Sequence, residues 1–172
     1  VSTLNTALLD MGGMVARSVH RGVLALVDRN AQFAYDVMRD ETNIDQIDLR
    51  IASLAATLIA REQPVAGDMR LVVSAIKIST DLERMGDLAV NVASRALSLM
   101  SQPELKQPIV LTGLAGLVHS RVLTSLDAFV RRDASLADQV LASDNGVDQM
   151  RAAIQRSMTS SFPLPFPSLK SS

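Results

Sequence analysis

The sequence predicts an all-α protein built from a repeated helical unit, about five helices in all, whose second copy stops before the unit is finished. Three observations predict this. The first is composition: of 172 residues, 48% are hydrophobic and only 3% aromatic, with eight Met and no Trp. A core of Leu, Val, Ile, Ala and Met suits helices better than a β-sandwich. The second is spacing, with apolar residues three and four positions apart along almost the whole chain. The third is self-similarity at an offset of 103 positions.

The elements follow in order. A first helix covers about Thr3 to Arg29, and Asp28-Arg29-Asn30 supplies turn and capping chemistry after it. A second runs from about Ala31 to Glu62, with the stripe Ile44, Ile47, Ile51, Leu54 and Leu58. Pro64 then forces a sharp turn, because proline disfavours helix in the residue before it and suits the first turn of the next. The third helix, about Val65 to Ser101, carries the clearest stripe: Leu71, Ala75, Ile78, Leu82, Met85, Ala89, Val92, Ala96 and Leu99. Pro103 and Pro108 bracket a linker, and a fourth helix runs from about Ile109 to Arg132. Asp133-Ala-Ser135 signals another turn and N-cap. A fifth helix follows to about Met158, striped by Leu136, Val140, Val147, Met150, Ile154 and Met158. From Thr159 onward Ser, Phe and three prolines predict an irregular tail.

Sliding the chain by 103 positions lays Val27, Arg29, Ala31, Ala34, Val37, Asp45 and Gln46 on Val130, Arg132, Ala134, Ala137, Val140, Asp148 and Gln149. The second and fifth helices are therefore copies. The copy of the third helix would begin near the C-terminal tail, where the chain ends. The expected organisation is a first three-helix repeat over 1–102, a partial second repeat of two helices over 103–159 and an irregular tail over 160–172.

Composition also excludes. A formal net charge of −1 argues against bulk nucleic-acid binding, which needs a large positive field. Without Cys there is no thiolate metal site and no thiol nucleophile, and no need of an oxidising compartment. The longest apolar runs, such as Ile109 to Val118, are too short to span a bilayer, so no membrane insertion is expected. No signal peptide is evident, and the cytosol is the default location. The chain begins with Val1 rather than Met, consistent with the loss of a few leading residues.

Two carboxylate pairs stand out, Glu41 with Asp45 and Glu83 with Asp87. Each is spaced i, i+4, which puts both charges on one helix face at a mild cost. Asp45 and Glu83 lie equally far from residue 64, and so do Glu41 and Asp87. In a hairpin folded at Pro64 all four should stand level on adjacent helices. Each of Asp45 and Glu83 is one position past a core residue, about 100° round the helix, so the patch should be accessible at the bundle surface. Hard oxygen donors suit Mg²⁺, Ca²⁺, Mn²⁺ or iron better than zinc, which would favour His or Cys. The repeat places Asp144 and Asp148 at matching positions in the second unit. A solvated acidic face partly neutralised by Arg39, Arg50 and Arg84 is the competing reading.

The stretch Gln63-Pro-Val-Ala-Gly-Asp-Met-Arg70, followed by Asp81-Leu-Glu-Arg-Met-Gly-Asp-Leu-Ala-Val-Asn-Val-Ala93, closely resembles the PhoU family of phosphate-specific transport system accessory proteins. The segment from Asp40 to Asp48 resembles the family's other acidic motif, and the likeness covers about residues 5 to 158. The resemblance implies two three-helix bundles related by a pseudo-twofold, the second incomplete here. It implies no catalysis. It implies a negative regulator of phosphate uptake and of the phosphate-starvation response, connecting the ATPase subunit of a phosphate ABC transporter with a sensor histidine kinase. The family's E/D-x-x-x-D motifs, linked to multinuclear metal sites, map onto Glu41/Asp45, Glu83/Asp87 and Asp144/Asp148. Iron, Mn, Mg, Ca and Zn all stay open as the metal. A full member would carry a sixth helix with a second Leu-Glu-Arg-x-x-Asp, which this chain lacks.

Three rival readings stay beside this one. A ferritin-like oxidase would need Glu-x-x-His, and His20 and His119 lie far in sequence from the acidic pairs. No Gly-rich phosphate loop, nucleophile elbow or Cys/His pair supports another enzyme. His20, next to Arg21 and Gly22, is loosely suggestive of phosphotransfer, though a lone helical His is more often structural. A metal-free helical adaptor differs only at the carboxylates, and an inactive truncated fragment of such a regulator is a further alternative. The incomplete second unit should also leave Val118, Val122, Leu126, Phe129, Val147, Met150 and Ile154 partly uncovered. That predicts self-association as a homodimer or higher oligomer.

Overall fold

A computed structural model describes residues 1–103, 108–143 and 145–161. Among them it contains six helices and no strand: α1 (Ser2–Val27), α2 (Ala31–Glu62), α3 (Ala66–Leu99), α4 (Pro108–Arg131), α5 (Ala134–Ala142) and α6 (Asn145–Ser161). The first four fall within about three residues of the boundaries that periodicity and capping predict. The tail beyond Ser161 lies outside the described residues.

The single fifth helix expected from the stripe is instead two, α5 and α6. The local reason is legible in Ser143-Asp-Asn-Gly146. Ser, Asp and Asn compete for backbone hydrogen bonds and favour caps, and Gly is a poor helix interior residue. The Ser143 amide closes α5 onto Gln139 and Val140 carbonyls at 3.1 and 3.2 Å.

The repeat is written into the turns. After α1, Arg29 takes the left-handed conformation (φ 51°) and the Asn30 amide reaches back to the Ala25 carbonyl at 3.1 Å. After α4, Arg132 does the same (φ 56°) and the Asp133 amide reaches Ala128 at 2.9 Å. Each is a left-handed C-terminal cap with a six-residue closing bond. The next side chain then caps the following helix: Asn30 accepts from the Gln32 amide and Asp133 from the Leu136 amide, both at 3.0 Å. The same two-sided turn thus recurs 103 residues later. The α2–α3 turn is different. Gln63 is left-handed (φ 42°), and Pro64 stops the helix.

Packing sets the topology. α1 lies against α2, α3 and α4, and α2 against α3. A Cβ on Gly12 would meet Leu82 and one on Gly22 would meet Val92, so α1 and α3 run parallel. Gly12 also faces Leu126, and His20 faces His119, so α1 and α4 run antiparallel. The larger core joins Leu4, Leu8, Met11 and Val15 of α1 with Ile44 and Ile51 of α2, Val72 and Leu82 of α3, and Leu126 of α4. A second cluster, rich in alanine, includes Ala25, Ala34, Val37, Ala89, Ala93 and Ala96. Small side chains there let three backbones approach closely.

Two packing expectations need correction. Leu126, expected to be partly uncovered, is only 3% exposed. α4 turns it onto α1, where Gly12 leaves a notch that the Leu126 Cδ1 occupies and a Cβ would close. Val122 and Phe129 are partly buried against the same core. Conversely, Val92 and Leu99, members of the α3 stripe, are exposed, because the stripe is wider than the groove between α1 and α2.

Candidate metal centre

Ile44 of α2 packs over Gly86 of α3, where a Cβ would lie 3.3 Å from the Ile44 Cδ1. This contact brings the two helices together at the height of the acidic pairs. Asp45 follows Ile44, and Gly86 stands between Glu83 and Asp87. The bare α-carbon of Gly86 lets Ile44 enter, and the carboxylates flank that contact.

Asp45 and Asp87 are exposed, while Glu41, Glu83 and Asp48 are half-buried. Partial burial, then the charges of Asp87, Asp45 and Asp48 in that order, push the Glu83 carboxyl above its ordinary value, and Arg84 pulls the other way. Glu83 therefore feels carboxylates from its own helix and from α2 across the hairpin. Asp48 is the member that the i, i+4 pairs leave out. Its signal lies within the Asp40–Asp48 segment: it is three positions past Asp45 and shares its flank. Arg39 does not neutralise the patch, since it pairs with Asp36 at 2.7 Å. Asp40 pairs with Arg21 of α1 at 3.4 Å.

The second-unit pair is not comparable. Asp144 lies outside the described residues. Asp148 is exposed on α6 and pairs with Arg151 at 3.4 Å, and the main packing partner of α6 is α4.

The donors of the first patch fit a hard cation in kind: all are carboxylate oxygens, and Glu83 carries a repulsion that a cation would relieve. Their arrangement is open. Among the described residues no group of three or more acidic or histidine side chains closes on one point tightly enough to cage an ion. An ion on such a patch would be held through a few carboxylates only, with water completing the shell.

The family profile described as "PhoU domain" matches residues 8–96 and again 111–167, once for each repeat. A protein of Aquifex aeolicus named phosphate-specific transport system accessory protein PhoU homolog is 32% identical over 151 residues, 88% of this chain and 68% of the relative. The Pseudomonas aeruginosa protein of the same name is 38% identical over 143 residues, 83% of this chain and 59% of the relative. The crystal structure of PhoU from Pseudomonas aeruginosa matches with a TM-score of 0.86 at 34% identity, covering 93% of this chain and 77% of that one. Matched along most of its length by the profile and by both relatives, the chain belongs to the PhoU family.

Proposed function

We propose that this chain is a non-enzymatic accessory protein of a phosphate-specific transport system. In this reading it restrains phosphate uptake and phosphate-starvation signalling. It acts by contact with the ATPase subunit of the phosphate ABC transporter and with a sensor histidine kinase, on the cytosolic side. No helix among the described residues is long and apolar enough to cross a membrane, so action through surfaces suits it. The relatives' name, accessory protein of a phosphate-specific transport system, supports the assignment.

Glu83 is crowded by Asp87, Asp45 and Asp48 in the α2/α3 patch, and this crowding supports a bound cation there. Glu41, Asp45, Glu83 and Asp87 would hold an iron, Mn, Mg, Ca or Zn ion, which supplies positive charge that ties α2 to α3. Asp144 and Asp148 would contribute a second, partial site. The test is elemental analysis and metal titration of the purified chain beside the Glu83→Ala/Asp87→Ala variant. Binding should vanish in the variant with helicity unchanged; equal binding in both places the site elsewhere. The open arrangement of the carboxylates favours one alternative, a metal-free adaptor. A chain that captures transporter or kinase from phosphate-replete lysate while carrying no metal supports that alternative. Capture of neither component counts against both.

We also propose that two copies associate. A cleft of about 550 Å³ runs between α3 and the α4–α5 pair, lined by Leu71, Ala128, Phe129, Ala137, Val140 and Leu141 among others. A second of about 340 Å³ continues it past Ile78, Leu82, Met85, Val118 and Val122. Apolar surface of this kind is stabilised by a helix laid into it. Light scattering at micromolar concentration should give a dimer or larger. A monomer with α4 and α5 protected from hydrogen exchange refutes this.

A further inference from the structure

The chain has two histidines, 99 residues apart in sequence, and the fold brings them together. His20 of α1 and His119 of α4 face each other with ring centroids 5.9 Å apart and ring planes at 88°. They meet in the seam between the first three helices and the second unit. Both are half-buried. Among the described residues neither ring has a hydrogen-bond or ion-pair partner besides this ring contact. The cations beside them in sequence are engaged elsewhere: Arg21 with Asp40, and Arg121 with the Val140 and Ser143 carbonyls at the end of α5.

We propose that His20 and His119 form a two-imidazole site for a nitrogen-preferring divalent cation, Zn²⁺ or Cu²⁺, that fastens α1 to α4. Neutral imidazole is a preferred donor for these ions, whereas the all-carboxylate patch on α2 and α3 suits harder ones. The spacing is right. With metal–nitrogen bonds of about 2.0–2.1 Å, two imidazoles on one ion hold their centroids about 5.2 Å apart at a tetrahedral angle and about 6.4 Å apart at a linear one. The observed 5.9 Å falls between these limits; the rings stand edge to face, so side-chain rotation has to turn one nitrogen of each onto the shared ion. Partial exposure leaves the remaining coordination positions to water. Because the ligands come from the two sides of the seam, the ion binds only the assembled arrangement and stabilises it by mass action.

The experiment uses the full chain carrying Glu83→Ala/Asp87→Ala, which silences the acidic patch, titrated with Zn²⁺ and separately with Mg²⁺. One Zn²⁺ should bind and raise the unfolding temperature, with Mg²⁺ unable to compete. His20→Ala and His119→Ala should each weaken Zn²⁺ at least tenfold and abolish the thermal shift. Should either variant fail to fold, proton NMR of the chain with both histidines decides: Cu²⁺ below one equivalent should broaden both imidazole resonances together. Unchanged Zn²⁺ affinity in either folded variant, or broadening of only one or neither imidazole, overturns the site.

Discussion

Arg29 and Arg132 occupy equivalent places in the repeat, share the left-handed backbone conformation, and hold opposite ends of the same helix. Arg29 donates to the Met100 carbonyl at the C-terminal end of α3. Arg132 pairs with Asp68 in the first turn of α3 at 2.7 Å. The cause is topological. α1 runs parallel to α3 and α4 antiparallel to α1, so the ends of two equivalent helices arrive at the two termini of a third. Each guanidinium finds what its terminus offers: an unpaired carbonyl at one end, an acidic side chain at the other.

These two contacts should differ in strength. The Arg132–Asp68 pair is exposed, at 58% and 38% for the two side chains. Arg132→Ala should therefore cost under about 1 kcal/mol. Arg29→Ala removes a charge-assisted bond from a partly buried carbonyl and should cost about 1.5 kcal/mol. Urea unfolding of both variants at low and high salt measures the difference, and salt should narrow only the effect at Arg132.

Gly12 and Leu126 should be coupled. Leu126→Ala alone should cost about 2–5 kcal/mol, as a buried truncation does. Gly12→Ala alone gains helix propensity but crowds Leu126, and should be destabilising by about 1–2 kcal/mol. The double variant should be more stable than the sum of the two by at least about 1 kcal/mol, since the new methyl fills the space the leucine leaves. A double-mutant cycle in urea gives the number, and additivity would mean α4 does not seat on α1 in this way.

Glu83 should destabilise the metal-free chain at neutral pH. Its carboxyl lies above its ordinary value through partial burial and its acidic neighbours. A raised folded value means that stability is fully present below the unfolded value and is lost as pH rises through the folded one. With metal chelated, Glu83→Gln should match the parent at the acid end of that window and exceed its stability above it. The gain is small because solvent screens the group. Thermal melts across the window test the sign; a variant less stable than the parent at neutral pH refutes it.

The capping residues should behave as a matched pair. Asn30→Ala and Asp133→Ala should each cost about 1 kcal/mol. The larger loss of helix signal should follow Asp133→Ala. α5 has nine residues and lacks any buried one, whereas α2 is held by Ala34, Val37, Ile44, Ile51 and Ala55. Circular dichroism and hydrogen exchange across 134–142 distinguish the two.

Much of this was open to reading along the chain, because it depends on residues a few positions apart. Helical spacing, the Pro64 turn and the capping residues Asn30 and Asp133 act within a turn or two of backbone, so they specify α1 to α4 and the hairpin that sets Asp45 level with Glu83. The offset of 103 positions was legible for the same reason: the two turns reuse the same local chemistry. Ser143-Asp-Asn-Gly146 carried a break signal too, outweighed in reading by the apolar stripe that continues past it. The tertiary structure alone decided the rest. α4 is apolar round most of its circumference, so its sequence does not say which face meets α1, and only packing against Gly12 buries Leu126. The addition of Asp48 to the acidic patch, the meeting of His20 with His119 and the two ends of α3 grasped by Arg29 and Arg132 all depend on helix direction and rotation. Those are set by how side chains interlock across helices far apart in sequence, which no local period records.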